Sequence, residues 1–275
     1  MASDLGSAFL EECEALDRLV ARLDDEAFGR VTDFYGWTVR DEVMHLAFLD
    51  EVTLRSIIDE PAFLEQKAEI RRYQAEVGEL SDYMRARYAH LNNRALAELW
   101  RDNFRALHAG FTAADPIVRV KWFGPDMGLR SAASARQMEV WAHGQDLYDL
   151  FGVRRENGER LRNICELGVR TYVWSFANRG LEVPVPRPRI ELVSPGGASW
   201  TWDEGEAGGE VAGAAEDFAL VVTQRRHVDD TSLAVRGTAA RRWMEIAQCF
   251  AGAPSAGPAP GERRMHGAAE RAARC

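Results

Sequence analysis

The apolar spacing of this chain constrains its fold more than any other feature. From Ala8 to Arg179 hydrophobic residues recur every three or four positions, with no strand-like alternation of any length. A chain of this kind buries its apolar stripes by laying helix against helix. Helices are expected over 8–23, 39–58, 63–76, 82–111, 132–151 and 159–179. Phe9, Leu16, Leu19, Val20 and Leu23 mark the first. Gly36 interrupts and Thr38 caps the second, Asp115-Pro116 ends the fourth, and Gly152 and Gly180 close the last two.

The pattern changes after residue 182. Pro184, Pro186 and Pro188 mark a domain linker or an extended edge. Short strand signals follow at 190–193, 199–202 and 233–235, separated by a Gly-rich stretch, with helical patterns at 214–225 and 238–250. The expected organisation is a helical bundle over 1–182, a small α+β domain over 183–254 and a disordered tail over 255–275. From Gly252 onward Ala, Gly, Pro and Arg dominate, a composition too poor in large apolar groups to pack.

Composition narrows the function. The 275 residues are 46% hydrophobic and carry a net charge of −9, which repels phosphate backbones and argues against a nucleic-acid partner. No apolar run approaches the ~20 residues of a membrane helix. Asp4, Glu11, Glu12 and Glu14 are unlike the basic start of a signal peptide. A cytoplasmic protein acting on a small molecule is the expectation. Cys13, Cys165 and Cys249 fall inside helical patterns as small core residues, and Cys275 ends the tail on an exposed stretch.

The chemistry concentrates in 136–146, Arg-Gln-Met-Glu-Val-Trp-Ala-His-Gly-Gln-Asp. On a helix Glu139 and His143 stand one turn apart on one face, so a carboxylate oxygen and an imidazole nitrogen can converge on one ion. Arg136 and Asp146 extend the same stripe. This spacing alone equally describes an exposed helical pair. His45, on the helix over 39–58, adds a third ligand if the two helices are neighbours, and three protein ligands leave a coordination position open.

Gly36-Trp37-Thr38-Val39-Arg40-Asp41 leading to His45, with Met138-Glu139-Val140-Trp141-Ala142-His143-Gly144-Gln145-Asp146 downstream, resembles the DinB-like superfamily. Within it the likeness is to the mycothiol-dependent maleylpyruvate isomerase branch, and more narrowly to an uncharacterised bacterial metal-binding group. Trp122-Phe123-Gly124-Pro125, Val222–His227 and Ile246–Gly252 carry the narrower match. The resemblance implies a mainly α chain, a DinB-like four-helix bundle followed by a small α+β sterol-carrier-like domain. It also implies a divalent metal on His45, Glu139 and His143. Zinc is the usual ion, and nickel, iron or manganese suit the same donors. The implied chemistry activates a low-molecular-weight thiol, mycothiol, for transfer to, or isomerisation of, an electrophilic metabolite.

Four further residues carry secondary expectations. Asp146 orients His143 or a substrate, or is a surface carboxylate. Arg136 faces an anionic substrate, or is a surface arginine. Arg226 and His227 contact the thiol cofactor, or form a charged turn. The loop over 122–127 covers the metal site, or staples helices together. A thiol-independent metalloenzyme and a non-catalytic metal-binding protein are the alternative functions. A bundle of this type is compatible with homodimerisation.

Overall fold

The computed structural model describes residues 6–202 and 208–267, which divide into one compact unit ending at Leu147 and a second starting at Tyr148. The first contains α1 (Ser7–Val20), α2 (Asp25–Gly29), α3 (Val39–Ile58), α4 (Glu60–Glu76), α5 (Leu80–Tyr88), α6 (Asn93–Ala113) and most of α7 (Leu129–Phe151). A two-residue antiparallel ladder, β1 (Arg119–Val120) with β2 (Met127–Gly128), precedes α7.

Helix α3 is the axis of this unit. Thirteen of its twenty residues are buried, so it packs on nearly every side rather than along one stripe. It starts sharply, because Thr38 and Asp41 form a reciprocal capping box: the Asp41 amide donates to the Thr38 hydroxyl and the Thr38 amide to the Asp41 carboxylate. Trp100, Phe104 and Leu107 of α6 are fully buried, and Asn103 of α6 donates to the Ala47 carbonyl of α3. The long helix expected over 82–111 is two helices. Arg40 of α3 donates to the carbonyls of Tyr88 and Leu91 and to Asn93 Oδ1, so the chain turns around its guanidinium between α5 and α6. A pair of α1–α6 hydrogen bonds, Arg101 to both oxygens of Asp17, closes the other side.

The loop over 122–127 is a staple. Ser56 donates to the Lys121 carbonyl, Lys67 to the Trp122 carbonyl, and the Phe123 ring meets Phe63 edge-on. These contacts lie along α4 and at the C-terminal end of α3, about 16 Å of helix beyond His45.

The second unit holds the last turn of α7, α8 (Arg162–Arg170), α9 (Tyr172–Ala177), four strands and two helices. The strands β3 (Arg189–Val193), β4 (Ser199–Trp202), β5 (Glu210–Ala214) and β6 (Ala234–Arg236) form one sheet in the order β4-β3-β5-β6. β3 and β5 are parallel; the other pairings are antiparallel. Helices α10 (Ala215–Val222) and α11 (Thr238–Ile246) complete the α+β part.

Two boundary expectations are corrected. Residues 148–182 belong with the second unit, because α8 and α9 bury their apolar sides there: the Tyr172 ring packs edge-on against Trp243, and the Cys165 thiol donates to the Ala215 carbonyl. The tail is fixed as far as Gly267. Arg263 is buried and donates to the Gln224 carbonyl, the His266 amide donates to the Asp149 carbonyl, and the Gly261 amide meets the Asp230 carboxylate. Its few anchors are polar, so hydrophobic composition did not reveal them. The expectations for Cys275 and the rest of the tail lie outside the described residues. Cys13, Cys165 and Cys249 are buried, as expected, although Cys249 lies past the end of the helix expected over 238–250. Among the described residues no helix is long and apolar enough to cross a membrane.

Gly168 shows how tightly α8 meets α10. A Cβ there would stand 2.9 Å from both Phe218 and Val222. Gly168→Ala is expected to cost about 1–3 kcal/mol, despite alanine's higher helix propensity, because two core side chains must shift. Denaturant titration checks it; a stabilised variant would mean that the interface yields freely.

Candidate metal centre

Helices α3 and α7 run antiparallel and face each other through three polar rungs. Arg136 Nε stands 3.0 Å from Asp50 Oδ1, His45 Nε2 stands 3.2 Å from Glu139 Oε2, and His143 Nδ1 stands 2.6 Å from Glu42 Oε2. Residue numbers rise along one helix as they fall along the other. Local spacing puts each set on one helix face; only the packing of α3 on α7 makes them partners.

The middle rung is the candidate centre. Glu139 Oε2 is also 3.3 Å from His143 Nε2, and the two imidazole rings lie 4.3 Å apart. One ligand atom from each of His45, Glu139 and His143 falls within 4.8 Å of the other two. Two ligands bound tetrahedrally at about 2.0–2.1 Å stand about 3.3 Å apart, so the observed separations already suit an ion placed among the three donors. His45 Nδ1 is a buried nitrogen without a hydrogen-bond partner among the described residues, leaving its Nε2 as the nitrogen turned to the centre. Burial alone would push the Glu139 carboxyl up; the adjacent imidazoles of His143 and His45 outweigh it and hold the group well below the usual carboxylate range. A carboxylate that stays ionised between two imidazoles is a suitable donor set for a borderline cation.

Aromatic rings wall the site. Trp37 is nearly parallel to the His143 ring at 5.8 Å and lies 5.3 Å from His45. Phe34 meets His143 edge-on at 5.1 Å. Both come from a hairpin over 30–39 in which Thr32 and Trp37 pair through their backbones, and Tyr35 and Gly36 take positive φ at its tip.

The remaining sequence candidates fall as follows. Arg136 is 2% exposed and turned onto Asp50, itself fully buried. Asp146 is buried, with a carboxylate oxygen within 4.8 Å of ligand atoms of Glu42 and His143. Arg226 lies in the second unit and holds Asp149 through two 2.7 Å bonds. His227 caps a short 3-10 helix by accepting from the Asp229 amide. Sequence reasoning passed over Glu42 and Asp50. Each is an acidic residue on a helix that also carries His45, and spacing alone did not distinguish them from solvated carboxylates.

The fold and this arrangement define a class: a helical bundle with a two-histidine, one-carboxylate cluster between facing helices, joined to a small α+β unit. Residues 9–148 match the mycothiol maleylpyruvate isomerase N-terminal domain family, and the chain belongs to that family. It is 37% identical over 246 residues to uncharacterised proteins of Mycobacterium tuberculosis strains CDC 1551 / Oshkosh and ATCC 25618 / H37Rv, covering 90% of this chain and 95% of each relative. Two crystal structures of mycothiol-dependent maleylpyruvate isomerase share the fold. One, a histidine-to-alanine mutant, superposes with a TM-score of 0.53 at 17% identity over 84% of this chain and 91% of the other. The second gives a TM-score of 0.50 at 18% identity over 79% and 86%.

Proposed function

We propose that this protein is an enzyme that holds one divalent cation, zinc in the first instance, on His45, Glu139 and His143. There it binds a low-molecular-weight thiol such as mycothiol, for transfer to, or isomerisation of, a small electrophilic metabolite. The observation that carries the reading is the spacing of the three donor atoms, 3.2 and 3.3 Å about Glu139 Oε2. Membership of the mycothiol maleylpyruvate isomerase family supports the choice of thiol.

When bound, the cation would supply a Lewis acid that favours the thiolate form of the thiol. The protein's own residues do the rest. Two neutral imidazoles and one carboxylate leave a dication with one unit of positive charge, which favours an anionic next ligand. Trp37 and Phe34 cover the His143 ring and keep water from that side. Partial exposure of Glu139 and His45, at 22% and 13%, gives a small molecule its approach.

Cobalt substitution tests this directly. Cobalt-loaded protein is expected to develop a near-ultraviolet thiolate-to-metal absorption on addition of mycothiol, and the Glu139→Ala variant to show none. Cobalt uptake without a thiol band would remove the thiol from the proposal and return the site to thiol-independent Lewis-acid chemistry.

A further inference from the structure

We propose that Glu42 is a positioning residue for this centre: it keeps the His143 ring proton on Nδ1 and so leaves the Nε2 lone pair facing the pocket shared with His45 and Glu139. The inference rests on the metal-binding reading for its consequence, though not for its geometry.

Glu42 is fully buried, and its two oxygens have separate partners. Oε2 lies 2.6 Å from His143 Nδ1, and Oε1 lies 3.1 Å from the Thr32 hydroxyl. Thr32 is itself buried and anchored in the hairpin, its amide donating to the Trp37 carbonyl. Of the ring's two carboxylate contacts, Nδ1 to Glu42 at 2.6 Å is much shorter than Nε2 to Glu139 at 3.3 Å, so a neutral ring places its hydrogen in the shorter one. An imidazole that donates from Nδ1 and is otherwise neutral presents the Nε2 lone pair for coordination. With the opposite tautomer, Nε2–H would point at Glu139 and exclude a cation.

The two histidines differ in this respect. No described residue hydrogen-bonds His45 Nδ1, so nothing on that side selects a tautomer. His143 is held on three sides: by Glu42, by the Trp37 face at an interplanar angle of 18°, and by the Phe34 edge. It is therefore the preorganised ligand, with His45 adjusting to the ion. Helix α3 has two roles. It contributes a ligand, His45, and one turn earlier the carboxylate that orients the other helix's ligand. Because Trp37 and Phe34 hold the ring plane independently, loss of Glu42 is expected to alter the proton's position more than the ring's.

The test is zinc titration against a competing chelator for the wild type, Glu42→Gln and Thr32→Val, with nitrogen-15 resonances of His143 recorded in metal-free and zinc-loaded protein. Glu42→Gln is expected to weaken zinc binding about 10- to 100-fold. It should also shift the His143 nitrogens away from the pattern of a protonated Nδ1. Thr32→Val removes the Oε1 partner together with the hydroxyl's contacts to the Trp37 carbonyl and the Phe34 amide; it is expected to give a smaller loss and serves if Glu42→Gln does not fold. Unchanged affinity together with unchanged His143 nitrogens in both variants would overturn the role of Glu42. If wild-type protein takes up no zinc, the metal reading fails by itself, and the metal-free resonances still decide the tautomer: a shift in Glu42→Gln supports positioning, and identical patterns refute it.

Discussion

Arg136→Met is expected to destabilise the first unit by about 3–5 kcal/mol, among the largest losses available from a single substitution here. Arg136 and Asp50 are both essentially inaccessible, so deleting the cation strands a carboxylate in the bundle core. Even with Arg136 beside it, burial pushes the Asp50 carboxyl up to about 6. The sign follows from that shift. Asp50 binds its proton more tightly in the folded state, so its contribution is present at low pH and is lost as pH rises from about 4 to 6, by roughly 3 kcal/mol. Without Arg136 the upward shift grows, and the decline extends to higher pH. The variant should therefore be least impaired near pH 5 and worst near pH 8. Urea denaturation across that range checks it. In the double variant Asp50→Leu with Arg136→Met, stability should return to near or above that of the wild type, because matched apolar groups avoid the desolvation cost. A single-variant loss below about 1 kcal/mol at pH 8 would show that water reaches the pair.

Glu139→Ala, His45→Ala and His143→Ala are each expected to abolish stoichiometric metal content. A three-ligand site binding with about 10–16 kcal/mol loses roughly 3–5 kcal/mol per ligand, or about 10²- to 10³-fold or more in Kd. Glu139 should be the most damaging, since it carries the only charge among the three and lies between both histidines. Elemental analysis of purified protein reads the loss. Melting temperature with and without added zinc separates loss of metal from loss of fold, because only a binding-competent protein gains stability with zinc concentration. Wild-type protein that neither contains metal nor melts higher on adding zinc, nickel, iron or manganese would sink the metal-centre proposal.

Much of the helical framework was legible because its signals are local. The α3 bounds Val39–Ile58 follow from Thr38 and Asp41 at capping-box spacing and from apolar periodicity up to Ile58. Glu139 and His143 share a face by their four-residue spacing alone. The strand Glu210–Ala214 was not legible. It lies at the edge of a Gly-rich stretch, and its extended state is set by parallel pairing with Arg189–Val193 and antiparallel pairing with Ala234–Arg236. The break between α5 and α6 escaped notice for a similar reason: Arg40, nearly fifty residues earlier, supplies the hydrogen bonds that stabilise the turn.

The site divides along the same line. By itself the sequence determined which residues share a helix face: Arg136, Glu139, His143 and Asp146 on one helix, and His45 on another. Only the tertiary structure decided which faces meet and in what register. Packing α3 against α7 put Asp50 on Arg136, His45 on Glu139 and Glu42 on His143. Periodicity records the geometry within one helix. Pairing between helices depends on how many side chains fill the space between them, which no single segment specifies.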